Sequence, residues 1–185
     1  MPGSDMTARA LSHAGGADMI QIRFVTCNDL ISRTIRGGQM GFWCSHVEAA
    51  VPEGWLGAHY GGGVLVRPIG YDAGIASREA VLNVFTQFKT QEVAFYDFLR
   101  SQLGQPYDMA AINDMALGVI AADAPDASAD TGWICSGLIG AALLAAGLIG
   151  DLPCGKLTTP RDVFNMCAAL HASKTDTKVA RLGPL

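Results

Sequence analysis

At 185 residues the chain has the length of one domain, which excludes a large multidomain assembly. Half of its residues are hydrophobic and only 16% are charged, so it carries too much apolar surface to be disordered throughout. Thirteen basic residues against seventeen acidic ones give a formal charge of -4, without the basic excess that phosphate backbones demand, so no nucleic-acid partner is expected.

In chain order, residues 1–18 are rich in Gly, Ala and Ser without periodicity and read as a flexible N-terminal arm. They contain no continuous apolar run followed by a cleavage signature, so cytoplasmic synthesis is expected. A single domain is expected over 19–172. The run from Met19 alternates as a strand into a turn at Asn28 and Asp29, with a short helix after it. GFWCSHVEAAV (41–51) and GWLGAHY (54–60) form two β-leaning runs joined by a Pro52-Glu53 turn, which predicts a hairpin. VLVRPI (64–69) and Glu79 to Phe85 add strands, giving an antiparallel sheet of four or five.

The second half is helical. Thr90 is placed to cap a helix over 91–103 that stops at Gly104. DMAAINDMALGVIAA (108–122) forms another, and Asp130 or Thr131 is placed to cap the apolar run that follows. Trp133 to Gly150 holds eighteen residues without a charge, close to the roughly 20 needed to cross a bilayer, but without Lys or Arg anchors. It is read as a central buried helix, so no integral membrane span is expected. Thr159-Pro160-Arg161-Asp162 carries an N-cap, a proline at the first helical position and an acid in the first turn, predicting a last helix to about Ala172. Residues 173–185 read as a polar C-terminal tail.

Five cysteines, at 27, 44, 135, 154 and 167, form no C-x-x-C pair and are odd in number, so a complete disulfide framework is not available to them. Cys135 falls in the first turn of the apolar helix, where unpaired N–H groups and the helix dipole favour a thiolate. His46 lies in a strand whose period of two sets Cys44, His46 and Glu48 on one face. With Pro52 and Glu53 as the turn, paired residue numbers add to 105, so His46 faces His59 and Glu48 faces Gly57; a bulge at Gly54 would turn His59 away. A helix-borne thiol beside a strand-borne imidazole, with a third polar group fixing the ring, suits nucleophilic acyl transfer. The same strand face, Cys44, His46, Glu48 and His59, also suits a metal site or a non-catalytic binding module. Gly150 to Lys156 imitates the start of a phosphate loop, but Leu157 replaces the Ser or Thr that would hold magnesium.

The order S-H-V-E (45–48), G-G-V (62–64), Q-x-P-Y-D (105–108) and W-I-C-S (133–136) resembles the circularly permuted branch of the NlpC-like, papain-related cysteine hydrolases, which includes YiiX-type proteins and lecithin retinol acyltransferase. The resemblance spans roughly residues 20 to 165. It implies an α+β papain-like fold with a small antiparallel sheet packed on helices, Cys135 as nucleophile and His46 as base. His59 or Glu48 would be the third member; Gly57-Ala58 stands where relatives often carry Glu-Ala. No cofactor is implied. Peptide substrates, including those of cell walls, or acyl lipids are implied as the carbonyl compounds hydrolysed or used for acyl transfer. Tyr107 and Asp108 match a family motif, and packing and helix capping account for them equally well.

Overall fold

The computed structural model describes residues 19–116 and 132–180; the N-terminal arm, residues 117–122 of the expected 108–122 helix, the capping candidates Asp130 and Thr131, and the last five residues lie outside them. The described chain is mixed α+β. Its elements run β1 (Met19–Cys27), α1 (Leu30–Gly38), β2 (His46–Val51), β3 (Gly54–His59), β4 (Gly63–Arg67), β5 (Ala76–Phe85), α2 (Lys89–Ser101), α3 (Met109–Ala116), α4 (Cys135–Ala145) and α5 (Pro160–Ala180). The strands form one antiparallel sheet in the order β4-β3-β2-β1-β5.

Alternation gives this sheet two different faces. Ile20, Ile22 and Phe24 of β1, Val47 and Ala49 of β2, and Leu56 and Ala58 of β3 all point one way and are fully buried. They pack on Leu138, Ile139, Ala142 and Leu143 of α4, with Phe95 and Leu99 of α2 and Val163 and Cys167 of α5 behind them. The other face carries Arg23, His46, Glu48, Trp55 and His59. It is covered because β4 and β5 lie at opposite edges, so residues 68–75 must cross the sheet to connect them, placing Tyr71 and Asp72 against Glu48 and Arg23.

The hairpin has the expected register: Ala49 pairs with Leu56, Ala50 with Trp55 and Val51 with Gly54, with no bulge. Gly57 lies opposite Glu48, where an added Cβ would stand 3.0 Å from the Glu48 Cβ and the neighbour would have to shift to admit it. Other expectations shift. Strand β2 begins at His46 rather than Gly41, because Met40 (φ 59°) and Gly41 (φ 76°) turn the backbone into the left-handed region. The buried Gln39 side chain pins this turn, donating to the Cys44 carbonyl while its oxygen accepts from the Arg161 N–H at 3.0 Å. Helix α2 starts one residue before Thr90, with the Gln91 side-chain oxygen accepting from the Gln87 and Phe88 N–H groups. Strand β5 begins three residues earlier, at Ala76. Helix α5 is capped by Thr159, as expected, but continues through Ala180 instead of ending near Ala172; no Gly or Pro interrupts it before Gly183.

Helix α4 is apolar all round, as a helix surrounded by protein must be. Its 11 residues extend about 16 Å, about half a bilayer core. No helix among the described residues is long and apolar enough to cross a membrane. The Gly150 to Lys156 stretch leads into a short 3-10 turn at Gly155–Leu157, so no phosphate loop opens a helix there.

Leu138 sits with no exposed surface where α4 meets the sheet. Leu138→Ala is expected to lower stability by about 2–5 kcal/mol in a denaturant titration, the cost of lost burial and a residual cavity.

Candidate active site

Cys135 is the first residue of α4, and the preceding Ile134 offers no capping side chain, so the first-turn N–H groups are left for other acceptors. Gly132 sets this start in place. Its φ of 86° lets the Pro106 carbonyl approach where a Cβ would lie 2.2 Å from the oxygen, and the Trp133 N–H then donates to that carbonyl at 3.0 Å. The Ser136 and Val47 N–H groups and the His46 ring lie near enough to the Cys135 sulfur to favour its charged form. Residues 135 and 46 are thus joined where the start of α4 abuts the start of β2.

His46 directs Nε2 at Glu48 Oε2, 3.3 Å away, leaving Nδ1 as the nitrogen available to a thiol proton. Glu48 is fully buried and divides its oxygens. Oε1 accepts from Arg23 Nη1 at 2.5 Å; Oε2 takes His46 and the Tyr71 hydroxyl, the latter at 3.2 Å. His59 lies beside His46 with ring centroids 4.8 Å apart and planes tilted by 46°, and its Nε2 stands 3.7 Å from the same Oε2, beyond hydrogen-bonding distance. Of the two candidates for the third member, Glu48 therefore contacts the His46 ring, and His59 lies behind both.

Charge follows from these contacts. Burial pushes the Cys135 thiol up, but the His46 imidazolium and the two N–H donors outweigh it and draw the thiol below its ordinary value. Burial lowers His46, yet the facing Cys135 thiolate and Glu48 raise it to about 10. Glu48 would be pushed up by burial; His46 and Arg23 hold it at about 2. His59 is driven down to about 3 by burial and by the His46 charge, so it is neutral. Burial raises the other four thiols, Cys44 and Cys167 to about 12. Tyr107 is held protonated by burial and by the nearby Cys135 charge, while Asp108 caps α3 by accepting from the Ala111 N–H at 3.0 Å.

Cys44 does not join the histidines. It lies before β2 starts, outside the alternation that would have aligned it, and its thiol donates to the Val25 and His46 carbonyls. The four-residue metal face therefore loses its cysteine, leaving His46, Glu48 and His59 with ligand atoms within 4.8 Å of one another.

Four residues outside every sequence motif, Arg23, Tyr71, Asp72 and Glu79, complete this network. Arg23 is buried, with Nη2 donating to Asp72 at 3.0 Å and Nε to Glu79 at 2.8 Å besides its bond to Glu48. A lone cation in the middle of the apolar run MIQIRFVTC was the available signal. A hollow of about 310 Å³ opens on the far side of this network, lined by Arg23, Trp55, Asp72 and Arg78 among others, and neither Cys135 nor His46 borders it.

No family model matches the chain, and no curated protein or solved structure matches it either.

Two outcomes follow from Glu48 and Arg23. A carboxyl whose folded pKa lies below its unfolded value stabilises the fold above that value, so the Glu48 contribution is present above pH 4.5 and is lost as pH falls toward 2. It amounts to about 3 kcal/mol, and acid-unfolding curves of Glu48→Gln should lack that part of the pH dependence. Arg23→Met leaves Glu48 buried without its cation and is expected to cost about 3–5 kcal/mol in chemical denaturation.

Proposed function

We propose that this protein is a cysteine hydrolase or acyltransferase that attacks an amide, ester or thioester carbonyl through Cys135, with a papain-like arrangement of the permuted NlpC type. One observation carries the reading: of the five cysteines, only Cys135 has its thiol drawn down, and the group responsible is a histidine in contact with it and anchored by a buried carboxylate. Structural cysteines have no need of such a partner, whereas a nucleophile at neutral pH does.

The chemistry follows from the atoms in place. The Cys135 thiolate adds to the carbonyl carbon, and charge develops on the carbonyl oxygen. N–H groups at the uncapped start of α4, including that of Cys135, are suited to hold this oxyanion, and one such donor is worth about 3–4 kcal/mol of barrier. His46, carrying the proton, gives it to the departing amine, alcohol or thiol as the tetrahedral intermediate collapses to a thioester. It then takes a proton from water or from an acceptor amine or hydroxyl, which attacks the thioester and restores Cys135. Glu48 keeps Nε2 occupied so that Nδ1 faces the sulfur, and stabilises the imidazolium. Peptides or acyl lipids are the carbonyl compounds this reading implies.

Alkylation by iodoacetamide across pH tests it. Cys135 should react below pH 7 and show a reactivity midpoint well under the ordinary thiol value of 9.0. His46→Ala should return that midpoint toward 9.0. The midpoint, rather than the rate, is decisive, because Cys27 and Cys154 are more exposed than Cys135. One common profile for all five cysteines would refute the assignment.

A further inference from the structure

We propose that His46, Glu48 and His59 form a binding site for a divalent transition ion of the zinc type, and that the ion switches off the thiol chemistry by occupying its base. The regulatory consequence rests on the function proposed above; the site itself does not.

His59 motivates the site. Its residue is only 5% exposed, yet Nε2 is buried without a hydrogen-bond partner. Buried polar atoms are rarely left so, and this one points at the Glu48 oxygen that already faces His46. Tetrahedral zinc with bonds of about 2.0–2.1 Å sets its ligand atoms about 3.3 Å apart. His46 Nε2 lies 3.3 Å from Glu48 Oε2 and His59 Nε2 lies 3.7 Å from it, with all three within 4.8 Å of one another. Small ring rotations close that triangle onto one ion. Two imidazoles and a carboxylate are ligands that zinc accepts, and a water completes the shell.

The surroundings permit a cation. Arg23 holds Oε1 of Glu48, so Oε2 is the oxygen turned toward the histidines, and Asp72 and Glu79 neutralise that guanidinium. Arg67 stacks on Tyr71, whose hydroxyl donates to Oε2 and would turn aside. Binding of the ion releases the His46 Nε2 proton to solvent, after which Glu48, Asp72 and Glu79 outnumber Arg23 and Arg67.

An ion on His46 Nε2 leaves the ring proton on Nδ1, the nitrogen that faces Cys135. That is then the ring's last proton, and giving it to a leaving group would create an imidazolate, so His46 can no longer serve as the acid of the proposed reaction. Cys135 is not a ligand in this arrangement. The ion would block proton transfer without touching the nucleophile.

The experiment titrates metal-free protein with zinc by calorimetry and with cobalt(II) by absorption, using the native chain, Cys135→Ser and His59→Gln. One ion per chain should bind the native protein and Cys135→Ser with similar affinity. His59→Gln, shown to be folded by circular dichroism, should bind at least tenfold more weakly, and the cobalt spectrum should lack a thiolate charge-transfer band. Should His59→Gln fail to fold, nitrogen-15 shifts of the His46 and His59 rings in the native chain answer the question, both moving on zinc addition. Absence of one-to-one binding at micromolar concentrations, equal affinity in folded His59→Gln, a charge-transfer band lost with Cys135→Ser, or an unmoved His59 resonance would each overturn the site. Because Cys135→Ser has no nucleophile, failure here leaves the thiol reading standing, and a common alkylation profile for all five cysteines leaves this site standing.

Discussion

The Glu48 carboxylate, sealed from solvent and held by Arg23 on the neighbouring strand, is the constraint from which the polar half of the structure follows. An unpaired carboxylate at that depth would take up a proton, so its charge depends on the His46 imidazolium and on the guanidinium 2.5 Å away. The guanidinium in turn needs acceptors for its remaining donors. Asp72 and Glu79 supply them, and Asp72 comes from the 68–75 crossing that roofs this face of the sheet. With Oε1 committed to Arg23, Oε2 is left to orient His46. Ion pair, roof and ring orientation are therefore one connected arrangement, and a group removed from it leaves a buried charge or donor behind.

The sheet separates apolar from polar burial by its two faces. On one, Ile, Val, Leu, Phe and Ala side chains meet α4, α2 and α5, and burial of that surface dominates the folding free energy. On the other, charged and imidazole groups are buried at a desolvation cost that the apolar face must offset. Cys135 belongs to neither face. It sits where the start of α4 meets the start of the central strand β2, within reach of the Val47 N–H and the His46 ring, so a helix start and a strand start converge on one sulfur and the buried carboxylate acts on it through His46.

Local signals in the sequence were accurate where the physics was local. Pro52 and Glu53 dictate a two-residue turn, and a two-residue turn dictates the register that brings His46 beside His59 and Glu48 opposite Gly57. Thr159 and Pro160 announce a helix because capping involves only neighbours. Readings failed where a distant side chain intervened. The run from Gly41 alternates well enough for a strand, but Gln39 bonds to Cys44 and to the Arg161 N–H, 122 positions away, and holds those residues in a turn. Cys44 consequently falls out of line with His46. The choice between His59 and Glu48 had the same origin, since it turned on Arg23 and Tyr71 approaching one carboxylate from β1 and from the β4–β5 crossing.

The sequence by itself determined the apolar helix opening on a cysteine, the hairpin with its histidines and glutamate in register, and the absence of the charge excess that would suit a polyanion, because periodicity, turn chemistry and composition are properties of short stretches. Only the tertiary structure decided that Cys135 meets His46, that Glu48 rather than His59 contacts the ring, and that His46 and Arg23 together keep that carboxylate ionised. Those outcomes depend on side-chain distances, two of them between residues 25 and 89 positions apart, and on water being excluded from between them, and neither quantity exists until the chain has folded.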